Sequence, residues 1–106
     1  MIEVKINPGV CGLCSTVKVE SEDMQNATVK ITTECGYIAK IAAELGDEVD
    51  GYAECFSKFG ESKVYELANK YCKHAACPVP SGIIKGIEAA CGLALPRDVE
   101  FKITKE

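Results

Sequence analysis

Four short stretches of this chain alternate strictly between apolar and polar side chains, and that period of two limits the fold more than any other feature. Ile2, Val4 and Ile6 alternate with Glu3, Lys5 and Asn7; Val17 and Val19 with Thr16, Lys18 and Glu20; Val29 and Ile31 with Thr28, Lys30 and Thr32; Val99, Phe101 and Ile103 with Glu100, Lys102 and Thr104. Alternation with one charged face predicts strands buried on one side only, and the outer Lys and Glu read as a solvated face of cross-strand partners. Between the third and fourth stretches the period becomes helical. Ile38, Ile41, Ala42, Leu45 and Val49 form one stripe, Val64, Leu67, Ala68 and Tyr71 a second, and Ile83, Ile84, Ile87, Cys91 and Ala94 a third. The segment from Gly51 to Gly60, with Tyr52, Phe56 and Phe59, reads equally as a short helix or a packed loop.

Ser62 and Ser81 are the expected N-caps of the second and third helices, and Gly92 and Pro96 end the third. The predicted order is therefore strand, strand, strand, three helices, strand: one α+β domain over residues 1–106, a two-layer sandwich with a four-stranded, mainly antiparallel sheet and its helices on one face. A chain of 106 residues with a 47% hydrophobic fraction is long enough to bury a core without disulfides or metal. A net charge of -4 with no basic block gives no footprint for nucleic acid, and no apolar run is long enough for a membrane. The first residues read as a strand and carry no secretory signal, so a cytoplasmic protein is expected. A protein partner or a homo-oligomer stays open.

Seven cysteines in a chain expected in a reducing compartment point to metal ligation or thiol chemistry and away from a disulfide framework. Five of them fall at predicted element ends: Cys11 and Cys14 in Cys11-Gly12-Leu13-Cys14, Cys35 in Cys35-Gly36, and Cys72 and Cys77 in Cys72-Lys73-His74-Ala75-Ala76-Cys77. If the first three strands form an up-down meander, Cys11, Cys14 and Cys35 lie at one rim of the sheet. Cys72 and Cys77 join them if the turn before the last helix lies at that rim, in which case the last strand returns parallel to the first and the sheet is mixed. Cys35 and Cys77 each precede a helix, whose positive end favours thiolate. Cys55 and Cys91 read as core side chains, and His74 as a ligand, a proton carrier or a solvated residue. No catalytic constellation is evident.

The order Cys14-Ser15, Cys35-Gly36, Cys72 and Cys77-Pro78 resembles the TSCPD domain, a family of small cysteine-rich proteins that also forms the C-terminal domain of certain B12-dependent ribonucleotide reductases. The resemblance covers about residues 9 to 92. It implies a cysteine-bound metal, with ligands on Cys14 or Cys11 and on Cys35, Cys72 and Cys77, and an occurrence in anaerobes. Where that family has Thr-Ser-Cys-Pro-Asp this chain has Ala75-Ala76-Cys77-Pro78-Val79, and Thr33-Glu34 stands in place of the glycines before the second cysteine. The expected function is metal binding, with Zn²⁺ or an iron–sulfur cluster held by four of Cys11, Cys14, Cys35, Cys72 and Cys77. The alternatives are a thiol–disulfide protein using Cys11/Cys14 with Cys77 or Cys35, and an interaction module accessory to a larger enzyme.

Overall fold

The computed structural model describes all 106 residues. Three strands, β1 (Ile2–Ile6), β2 (Ser15–Glu20) and β3 (Asn26–Thr33), are followed by α1 (Gly36–Leu45), a three-residue strand β4 (Glu48–Asp50), and the helices α2 (Gly51–Phe56), α3 (Lys63–Tyr71) and α4 (Val79–Ala90). The sheet has the order β1-β2-β3-β4 and is antiparallel throughout. This is the expected α+β sandwich. The meander follows directly from the alternation: Val4 pairs with Val17, Val17 with Ile31, and Val19 with Val29, so the apolar residues of all three strands share one face. On the outer face Glu3 stands opposite Lys18, with 3.8 Å between their charged ends.

The helices cover the apolar face. Val17, Val19, Ile38, Ile41, Ile83, Ile87 and Val64 are fully enclosed between the two layers. The approach of α4 to the sheet depends on two glycines four residues apart on its inner side. A Cβ on Gly82 would lie 2.5 Å from Cδ1 of Ile6, and one on Gly86 would lie 3.0 Å from Val19 and 3.1 Å from Val4. These contacts also fix the direction of the helix. It starts over Ile6, where β1 ends, passes Val4, and finishes with Cys91 against the backbone oxygen of Gln25 in the β2–β3 turn.

The fourth strand is not the expected one. It is Glu48–Asp50, paired with Asn26–Thr28 through Val49 opposite Ala27. Three residues are too few to show a period, and Val49 continues the stripe of α1 by coincidence of spacing. That helix stops at Leu45, followed by Gly46 with φ +78°. Val99, Phe101 and Ile103 lie outside any strand and are 63%, 78% and 91% exposed, so the anticipated parallel pairing does not form. The ambiguous segment after Gly51 is helical in its first half because Asp50 caps it, accepting from Tyr52 N at 3.0 Å and Ala53 N at 3.2 Å.

Ser62 caps α3 as expected, accepting from Tyr65 N at 3.3 Å. Ser81 does not cap α4. That helix begins three residues earlier than a Ser81 cap would set it, at Val79, because Pro80 suits a first turn in which no backbone donor is needed; Ser81 instead donates to the Pro78 carbonyl at 3.1 Å.

Candidate functional site

The ladder between β2 and β3 brings Cys14 and Cys35 to one rim. One step beyond the Ser15–Thr33 pair, the Cys14 carbonyl accepts from Glu34 N at 3.0 Å, and the Cys14 amide donates to Glu34 Oε1 at 2.9 Å. Thr33 hydrogen-bonds to the buried Ser15 hydroxyl at 2.7 Å and accepts the Cys35 amide at 3.0 Å. Cys35 is then the N-cap residue of α1, in extended conformation with its thiol uncommitted to capping. Thr33 and Glu34, the two residues that depart from the glycines of the TSCPD pattern, are thus the ones that tie both cysteine-bearing segments together.

Cys72 and Cys77 arrive at the same rim from the helical layer. Cys72 is the C-cap of α3, its amide held by the Ala68 carbonyl at 2.8 Å. The turn that follows is closed by Cys77 N donating to the His74 carbonyl at 3.2 Å and leads into α4 over Ile6. Lys73 lies over the ring of Tyr37 in the first turn of α1, 5.8 Å from its centre, which draws this turn towards Cys35. The thiol of Cys72 is pushed up to about 11, first by burial, then by the neighbouring Cys77 and Cys35, because clustered thiols resist ionising side by side. Cys35, Cys72 and Cys77 are all half-buried against the core, whereas Cys11 and Cys14 are exposed on the loop after β1.

The five expected ligands therefore divide. Cys35, Cys72 and Cys77 form one neighbourhood, and Cys14 adjoins it through its backbone. Its thiol turns back on its own loop, 3.7 Å from the Gly12 carbonyl. No three Cys, His, Asp or Glu side chains are drawn together tightly enough to hold a metal ion as they stand. His74 is exposed, and only its carbonyl is engaged in the turn. All seven cysteines are free.

Cys55 and Cys91 lie at the far end of the molecule, where Cys91 packs over Gly51. Burial pushes the Cys55 thiol up to about 11, assisted by Glu88, Cys91 and Glu54. Both behave as the core residues expected of them. Sequence patterning did not reveal Glu54, a buried carboxylate on α2 that accepts from Lys63 N at 3.1 Å and Val64 N at 2.9 Å. Nothing local marks it, since its partners are nine and ten residues away. No helix is long and apolar enough to cross a membrane.

The fold and the rim of thiols define a small cysteine-rich α+β domain. The chain belongs to a family of unknown function (DUF6951), whose model matches residues 2–103. No curated protein and no solved structure matches it.

Proposed function

We propose that this protein binds a thiolate-ligated metal, Zn²⁺ or an iron–sulfur cluster, at the rim between sheet and helices. Cys35, Cys72 and Cys77 are the proposed scaffold-borne ligands, and Cys14 or Cys11 the fourth. The observation that carries this reading is the meeting of three helix ends, so that the Cys72 thiol feels both Cys77 and Cys35. Burial and the neighbouring thiols hold Cys72 protonated, and a bound cation removes that obstacle by neutralising its thiolate as it forms. An all-sulfur donor set suits Zn²⁺ and iron–sulfur clusters and excludes Ca²⁺ and Mg²⁺ by preference.

Closure of the site requires the exposed loop to turn a thiol inwards, and Gly9 and Gly12, with φ of +94° and +66°, give that loop its hinge positions. The TSCPD resemblance supports the same ligand set. Seven free cysteines, an odd number, support a cytoplasmic location. The competing thiol–disulfide reading is favoured by the exposure of Cys11 and Cys14 and disfavoured by their position, since the pair leads into β2 and lacks a helix N-terminus.

Anaerobic purification followed by metal analysis and an absorption spectrum tests the proposal. The expected result is bound zinc or iron in fixed ratio to protein, lost in Cys35→Ser/Cys77→Ser and retained in Cys55→Ala. Protein without zinc or iron that also fails to take up zinc in titration would overturn it.

A further inference from the structure

The segment from Asp98 to Thr104 has the alternation of a half-buried strand but no partner, and the sheet has an edge without a neighbour at β1. Three observations bear on how the two could meet. The first is exposure: Val99, Phe101 and Ile103 leave three large apolar side chains in solvent on one side of the segment, while Ile2 and Val4 on the inner face of β1 are only half-buried. The family match runs to residue 103 and so includes all of this segment but Thr104.

The second is charge. In an antiparallel arrangement with full overlap, Val99 stands opposite Ile6, Glu100 opposite Lys5, Phe101 opposite Val4, Lys102 opposite Glu3 and Ile103 opposite Ile2, which joins every charge to its opposite. In the parallel arrangement with full overlap, Glu100 meets Glu3 and Lys102 meets Lys5, so every charge meets its like.

The third is chain direction. Because α4 runs from Ile6 towards the β2–β3 turn, the tail leaves from the end of the sheet where β1 begins. Returning along its own β1, it would run parallel. To lie antiparallel there it would first have to reach the other end. Leu93 is packed on the core with its amide bonded to the Glu88 carbonyl at 2.8 Å, and Ala94 is half-buried, so only Leu95 to Arg97 are free to make the crossing. Three residues extend about 10 Å, short of the length of β1, and leave none for the reverse turn.

We propose that residues 98–104 add as an antiparallel strand to the β1 edge of a second copy of this chain, and that the exchange is reciprocal, giving a twofold dimer in which each sheet has five strands. Strand addition of this kind supplies backbone hydrogen bonds along the edge and buries alternate side chains, here Val99, Phe101 and Ile103, beside Ile6, Val4 and Ile2. It also removes an unprotected edge, a known liability for aggregation.

Sedimentation equilibrium of the full chain in reductant and chelator is expected to give twice the chain mass of 11.4 kDa. Truncation after Pro96 is expected to give a folded monomer. Reversal of the tail charges, Glu100→Lys with Lys102→Glu, sets four like-charged pairs across the two exchanged strands and should weaken the dimer roughly tenfold or more. Adding Glu3→Lys and Lys5→Glu to that variant should restore it. A full chain monomeric at every concentration, a dimer that survives the truncation, or a monomer whose Val99–Ile103 amides are protected from exchange would each overturn the proposal. The tail variants leave the folded body untouched, so the test stands even if the β1 variants fail to fold.

Discussion

Glu54 offers the sharpest test of how the helical layer is held. The first three residues of α3 carry backbone donors that no carbonyl within the helix can reach, and all three are accounted for. Glu54 takes Lys63 N and Val64 N and the Ser62 hydroxyl takes Tyr65 N, after which Glu66 N makes the first regular bond of the helix to the Ser62 carbonyl at 2.8 Å. Glu54→Ala strands the first two. Lys63 is exposed and water can replace the carboxylate there, but Val64 is fully buried, and its amide would be left without a partner. An unsatisfied buried donor costs about 1–3 kcal/mol, and loss of the second bond with the favourable charge at a helix N-terminus adds about 1, so a destabilisation of about 2–4 kcal/mol is expected. For a chain of this size that corresponds to a fall in Tm on the order of 10 °C or more. Glu54→Gln keeps one acceptor oxygen and should lose about half as much. Urea unfolding in reductant, read by far-ultraviolet circular dichroism, measures both, with the m-value expected unchanged. A Glu54→Ala protein within about 0.5 kcal/mol of the parent would refute the assignment of a cap across the α2–α3 loop.

Other outcomes follow from single contacts. At pH 8 a thiolate-selective reagent should label exposed Cys11 and Cys14 first, and Cys72 and Cys55, raised to about 11, should react only as the pH approaches that value; mass mapping of early adducts on Cys72 would contradict this. The same shifts set a sign for stability: their contribution is full below the ordinary thiol value of 9.0 and is lost between there and about 11, because the unfolded chain ionises first. Gly51→Ala places a Cβ 2.9 Å from the Gln25 carbonyl and 2.5 Å from Cys91 Sγ and should cost roughly 1–3 kcal/mol in thermal or urea unfolding, whereas Gly36→Ala meets nothing within 4 Å at the start of α1 and should be neutral or stabilising. The Glu44 carboxyl is held below its ordinary range by the Tyr71 hydroxyl at 2.6 Å and by Lys70, so the link it makes between α1 and α3 is present above pH 4.5 and weakens as the pH falls through the lowered value; a Glu44→Gln protein should show a flatter acid limb in a pH–stability curve.

The parts of this fold that were legible in the sequence are those in which one face is buried and the other is not. β1, β2 and β3 announce themselves because Val17 and Val19 must point inward while Lys18 points out, and the meander then puts Cys14 and Cys35 together without further information. The placement of Cys72 and Cys77 followed residue type only; what fixes it is the fit of Gly82 over Ile6, a contact between segments more than seventy residues apart that no local pattern encodes. β4 escaped because Val49 alone carries its burial. The tail shows the opposite failure: its pattern is that of a strand, but the edge that suits its charges is not one its own chain can reach.

The seat of Gly82 on Ile6 has a consequence for how such sequences can vary. A methyl group at position 82 would lie 2.5 Å and 2.9 Å from the outer carbons of Ile6, so that side chain must move aside or be shortened at the same time, and the two positions are coupled. Libraries that randomise α4 without also shortening the side chain at position 6 should return glycine there, and the lifted helix of any exception would carry Cys77 away from Cys35.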